Sequence, residues 1–470
     1  MTTPPTHALA TLWRDAGLPA EPLQRAHLTG TEPSLPSSFA VGTAAQVAFG
    51  AAGLAAAWVG ETRNGLRQSL SVDMREAALE ACLHFTLDGV TPRAWDKIAG
   101  LYACRGGTAV RVHTNFTHHR DGLLRLLGLP EGEATERPAV AAALADLDAF
   151  EFEHAATQAG LVVAALRDVA AWDAHPQSVA VAADPLVAIE RIGDAPARPW
   201  RALAQTSRPL EGVRVLDLTR ILAGPICGRT LAAFGADVLL VNSPTLPNID
   251  AIADTSRGKL SAHADLRTAR GREGLAAVLR DADLFVQSYR PGALAGLGFG
   301  TEEVARMRPG IVMVSLSAYG ETGPWAGKRG FDSLVQAALG FNLAEGHAAC
   351  RAGAAATAAP RPLPMQILDM ASGALMAFGA QVALLRQRET GGSWQVRVSL
   401  ARTGAWLRSL GRVADGFSAP APDFDAVLET APSGYGQLAS VRPAVRFSAT
   451  PAGYSRPSMP PGTHPLSWPS

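Results

Sequence analysis

The sequence predicts an α/β protein: an open, mostly parallel sheet with crossover helices, joined to a smaller α+β domain and an extended C-terminal arm. Three observations carry this. Short apolar strands alternate with helical stretches between residues 210 and 400, the order of a parallel sheet. A chain of 470 residues can bury two or three cores, and 47% hydrophobic with 18% charged residues is a globular composition. Residues 404–470 are rich in Pro, Ser and Gly and show little periodicity beyond one short helix, which suits an arm lying over the larger domain.

Residues 1–205 form the first expected unit. Residues 33–60 carry no charge and are long enough to cross a bilayer. They are mostly Ala and Gly, with Thr43, Gln46 and two prolines, so a buried, closely packed helix is the expectation. Strand-like alternation at 66–72 leads into a helix over 74–87. A hairpin at 101–113 turns on Arg105-Gly106-Gly107, helical stretches follow at 121–127 and 138–167, and residues 191–208 read as a linker. Residues 206–403 form the second unit, with strands at 213–218, 236–241, 282–287 and 311–317. Helices at 225–234, 270–280 and 302–307 connect them, and Gly235 stops the first. This is a Rossmann-like alternation. Between the units runs an internal echo: a shift of 326 positions sets Ala51, Gly53, Gly65 and Val72 on Ala377, Gly379, Gly391 and Val398, and Thr43 on Asp369. The first copy then lacks the carboxylate of the second.

Composition also excludes. A formal net charge of zero gives no basic field for nucleic acid. Cys82, Cys104, Cys227 and Cys350 lie far apart, with no C-x-x-C pair, and read as reduced thiols of a cytoplasmic protein, without a zinc site. Residues 1–21 lack a basic start followed by an apolar run, so neither a secretory signal nor a membrane partner is expected. His118-His119 are adjacent, which suits a surface loop and not a shared metal ion.

Two places carry chemistry. Asp369 is a lone carboxylate at the mouth of an apolar helix, either a helix cap over 370–385 or a catalytic group. The stretch Thr219-Arg220-Ile221-Leu222-Ala223-Gly224-Pro225 joins a strand to a helix. It is neither G-x-G-x-x-G nor a P-loop, but the helix start offers free N–H groups to an anion or a carbonyl.

From Leu210-Glu211-Gly212-Val213-Arg214-Val215-Leu216-Asp217-Leu218 onward the chain resembles the class III coenzyme A transferases, the CaiB/BaiF group. The resemblance continues through Phe234-Gly235-Ala236-Asp237-Val238, Arg257-Gly258-Lys259, Tyr289-Arg290-Pro291-Gly292, Tyr319-Gly320-Glu321-Thr322-Gly323-Pro324 and Gly330-Phe331-Asp332. It implies that Asp369 is the catalytic aspartate, ionised at neutral pH by its ordinary pKa, and that it carries the acyl group and then CoA in turn. It implies that Ile221, Leu222 and Ala223 line the coenzyme A cleft and that Arg329 meets the cofactor. Lys259 and Arg257 are further candidates for phosphate contact, and Ser288 and Tyr289 lie at a strand end where open sheets bind ligands. Acyl-CoA and a carboxylic acid are the implied substrates, with no metal, in a homodimer. Residues 66–195 look like the family's smaller domain, here placed ahead of the Rossmann-like half, so the order is permuted or partly duplicated.

Asn242, Ser243 and Gly296 depart from the family's pattern, two of them where cofactor-binding arginines often stand. One alternative is an α-methylacyl-CoA racemase, which shares this fold but needs an acid and a base; Phe331 stands where those relatives carry a histidine. Another is a catalytically silent acyl-CoA-binding homologue. The Ala-rich connector 345–362 is expected to shape the acid pockets.

Overall fold

Seven strands form the central sheet, in the order Lys259–His263, Asp237–Asn242, Arg214–Leu218, Leu284–Gln287, Val312–Ser317, Ser393–Ser399, Ala188–Gly193. All neighbours are parallel except the last pair. The computed structural model describes residues 2–469. Helices Ala223–Ala233, Ala269–Leu279 and Thr301–Met307 make the crossovers, within two residues of the expected bounds. The first six strands in chain order from Arg214 are arranged 3-2-1-4-5-6, so the order reverses between Arg214–Leu218 and Leu284–Gln287. A crevice opens at the C-terminal ends of those two strands, where such sheets bind ligands. Residues 219–222 and Ser288–Tyr289 lie there.

Three sheet strands lie outside the expected set: Lys259–His263, Ser393–Ser399 and Ala188–Gly193. Lys259–His263 is as long as Arg214–Leu218, but its Lys, Ser and His interrupt the apolar run that marks the other strands. Ala188–Gly193 runs into the expected linker and closes the sheet antiparallel, a common edge arrangement.

The smaller α+β unit is a three-stranded antiparallel sheet, Gly100–Ala103, Ala109–Val112 and Val163–Ala165, with its own apolar cluster around Tyr102, Val110, Leu144 and Phe152. The expected 138–167 helix is broken. Asp148 accepts from the N–H groups of Phe150 and Glu151 and so starts a second helix, and Gly160, at φ 70°, ends it before the strand. The C-terminal arm is more ordered than its composition suggests. Its hairpin Leu428–Ser433/Gly436–Val441 adds Phe85–Leu87 as a third strand, and Arg446–Phe447 pairs with Leu70–Asp73.

Two 24-residue helices, Val41–Asn64 and Ile367–Thr390, pack together at the centre of the main core. Both are long and apolar enough to cross a membrane, and both are buried inside the protein. Their starts differ by the same 326 positions as those of the helices that follow, at Met74 and Leu400. The residue before each has the same backbone, φ −78°, ψ 61° at Ala40 and φ −81°, ψ 61° at Gln366. The Thr43 N–H donates to Glu32 Oε1 at 2.8 Å, as the Asp369 N–H donates to Asp332 Oδ2 at 2.9 Å. At Gly42, beside Thr43, an added Cβ would fall on Ser34, so this end of the first helix is filled by side chains.

Candidate functional site

Asp369 lies inside the first turn of Ile367–Thr390, two residues past its start, so it is not the cap that a helix over 370–385 would need. Gly373, one turn on, packs so closely on the head of Ala223–Ala233 that a Cβ there would stand 2.5 Å from the Ala223 carbonyl. That approach sets the Ala223 N–H and the start of its helix beside the Asp369 carboxyl, where they favour its ionised form against burial. Asp369 is 7% exposed.

Two cavities meet at this carboxylate. One, ≈ 370 Å³, opens from the sheet crevice and is lined by Ile221, Leu222, Ala223, Ser288, Tyr289 and Arg329, six of the expected cofactor contacts, with Arg220 and Arg290 beside them. The other, ≈ 360 Å³, is largely apolar and shares Phe116, Ile221, Leu222, Phe331 and Asp369 with the first. Ile221 sits at φ 76°, a backbone region costly for a β-branched side chain, and residues of this kind cluster at ligand sites. The turn is held from below: Asp217 Oδ1 accepts from the Thr219 N–H at 2.9 Å and from its hydroxyl at 2.6 Å.

Lys259 is not with the others. Its ammonium is fully buried under this turn, 2.8 Å from Asp217 Oδ2 and 2.8 Å from the Pro225 carbonyl. It is a structural ion pair and lines neither cavity, which corrects the expectation of a phosphate contact. Arg257 is likewise occupied, by Asp254 at 2.6 Å and Glu429 at 3.2 Å. Two cations that face the crevice beside Arg329, Arg220 and Arg290, stand within the quoted motifs, but a cation's direction cannot be read from a loop sequence. They supply positive charge that Ser243 and Gly296 lack.

His118 and His119 are also corrected. They lie in the helix Thr117–Leu126 and line the cationic cavity, with His119 Nε2 3.3 Å from Arg329 Nη1. Burial, with His118 and two arginines nearby, holds His119 down at about 3, so it is neutral there. The connector 345–362 does not wall the apolar cavity; residues 81–85, 91–95, 249–251, 364–366, 369–370 and Phe424 are among those that do.

Burial and the neighbouring Asp332 carboxylate push the Asp369 pKa well above the carboxylate range. Asp332, fully buried, is raised to about 7 by burial, against the hydrogen bonds it accepts from the Asp369 N–H and the Gln336 amide. The ordinary pKa therefore does not ionise Asp369; the two carboxyls titrate as a pair that loses its protons at higher pH than either acid would alone. Asp332→Asn keeps an acceptor for the Asp369 N–H but removes the like charge. The acidic limb of the pH–rate profile is expected to move to lower pH, and an unmoved limb would show that burial alone sets it.

Residues 210–423 match the model for CoA-transferase family III. The chain is similar to the acetyl-coenzyme A transferase nodX of Hypoxylon pulicicidum, 31% identical over 336 residues, covering 67% of this chain and 55% of that protein. It is similar to the succinyl-CoA–D-citramalate CoA-transferase of Chloroflexus aurantiacus, 34% identical over 204 residues, 40% of this chain and 48% of that one. A solved CAIB/BAIF family protein from Brucella suis is 24% identical with a TM-score of 0.36, covering 49% of this chain and 65% of that chain. The chain spans about half the length of the curated relatives it matches.

Proposed function

Because residues 210–423 belong to CoA-transferase family III, we propose that the protein transfers coenzyme A from an acyl-CoA thioester to a carboxylic acid through Asp369. The observation that carries this is the meeting of two unlike cavities at one buried carboxylate, one lined by three arginines and the other apolar. Arginines suit the phosphates of coenzyme A, and the apolar side suits an acyl chain.

Once it has lost its proton, the Asp369 carboxylate attacks the thioester carbonyl. The C–S bond breaks, leaving a mixed aspartyl anhydride and the CoA thiolate. The thiolate then attacks the aspartyl carbonyl, forming an aspartyl–CoA thioester and releasing the first acid. The second acid's carboxylate reverses the two steps. The Ala223 N–H and the helix dipole behind it favour the negative charge that develops at the aspartyl oxygen. We further propose that residues 1–205 include a degenerate copy in which Thr43 replaces the carboxylate, so one site operates per chain, and that the protein works in the cytoplasm as a homodimer.

The test is chemical. Incubation with acyl-CoA and hydroxylamine should leave a hydroxamate at Asp369, located by peptide mass spectrometry; acyl-CoA binding without trapping or exchange of labelled acid would overturn the transferase reading. The racemase alternative is served poorly here: Phe331 is stacked on His113 at 4.1 Å, and burial holds that histidine near pKa 3, a weak base. No deuterium should wash into the α-carbon.

A further inference from the structure

We propose that the apolar cavity beside Asp369 takes the hydrocarbon part of a monocarboxylic acid, and that Trp95 excludes acids with a second carboxylate by covering Arg111. The inference rests on the transferase reading for where the reacting carboxyl sits.

The cavity, ≈ 360 Å³, holds roughly a dozen water-sized volumes, far more than a formyl or acetyl group needs. Phe85, Phe116, Phe331, Phe424, Met365 and Met370 form its walls. His84 stacks on Phe424 at 4.2 Å and is pushed by burial toward the neutral form, and His113 is neutral for the same reason. Apart from Asp369, the charged side chains that line it are Arg93 and Asp250, both exposed at the rim. A second carboxylate carried inward would therefore lose its water and find no cation.

One cation lies just behind the wall. Arg111 is buried, its Nε has no hydrogen-bond partner, and it does not line the cavity. The Trp95 ring covers it, with the guanidinium carbon 4.5 Å from the ring centroid, and packs edge-on to His113 at 5.7 Å. The indole itself lines the cavity, so removing it opens space toward a guanidinium whose Nε has no partner. Trp95 is 38% exposed, so its truncation is not expected to unfold the protein.

The experiment titrates the full-length Asp369→Ala protein, which cannot turn over, with hexanoyl-CoA, phenylacetyl-CoA, succinyl-CoA and free CoA by calorimetry, then repeats this with Trp95→Ala added. The two monocarboxylic thioesters should bind at least about tenfold more tightly than succinyl-CoA. Trp95→Ala should weaken them and tighten succinyl-CoA, reversing or erasing the preference; Trp95→Phe should keep it. Succinyl-CoA binding as tightly as hexanoyl-CoA to the parent overturns the substrate class, and an unchanged ratio in Trp95→Ala overturns the role of Trp95. Hydroxamate trapping on the unmodified protein runs in parallel. Its failure would count against the transferase reading alone, since the binding ratio is read without turnover.

Discussion

Replacing Asp369 by alanine is expected to reduce CoA transfer by at least ~10³-fold while leaving acyl-CoA binding measurable. No second carboxylate can substitute, because Asp332 is fully buried and is spent on the Asp369 N–H and the Gln336 amide. The same variant carries a stability signature that separates lost chemistry from lost folding. Burial and Asp332 raise the Asp369 pKa in the folded state, so above the ordinary carboxylate range the folded protein holds a proton that the unfolded chain has released. Stability then falls as pH rises from that range up to the raised pKa, and the burden remains above it. Asp369→Ala removes the burden: it should melt at a higher temperature than the parent at pH 8, with the difference shrinking toward pH 4. Equal melting temperatures across that range would contradict the raised pKa, and retained turnover would end the role given to Asp369.

Much of this site is legible in the sequence, for reasons that differ by residue. Asp369 stands out as a lone carboxylate at the head of an apolar helix, but a helix start is an ordinary place for a carboxylate, and only the resemblance points to catalysis. The strand-to-helix turn at 219–225 and the strand end at Ser288 follow from alternation alone, since a parallel sheet gathers such turns at one edge. What sequence hides is direction and partnership. Lys259 and Arg220 are both cations in quoted motifs, yet one is locked to an aspartate beneath the turn and the other faces the crevice. The walls of the apolar cavity come from chain segments as distant as Phe85, Ile249, Met365 and Phe424, none with a local pattern linking it to the rest. The burial that lifts the Asp369 pKa is likewise a property of the packed helices, and the reference value for a free carboxylate says nothing of it.

The sharpest separation of structural from ligand-binding cations comes from Lys259→Met set beside Arg329→Ala. Methionine keeps most of the apolar stem but strands the Asp217 carboxylate, which sits with Lys259 at zero exposure. Breaking a fully buried pair from one side costs about 3–5 kcal/mol, a loss of roughly 10 °C in melting temperature for a domain of this size. The damage should spread to the turn above, because the same Asp217 holds Thr219 and hence the left-handed Ile221 between the cavities. Coenzyme A affinity per folded molecule should nevertheless change little at low temperature, since no Lys259 atom faces the cavity. Arg329→Ala should do the reverse. It leaves a partly exposed position and a neutral His119 partner, so the melting temperature should hold, while the dissociation constant for coenzyme A rises about tenfold with the loss of a charge-assisted contact. If Lys259→Met weakened coenzyme A without lowering the melting temperature, the buried pair would have to be reread as part of the ligand site.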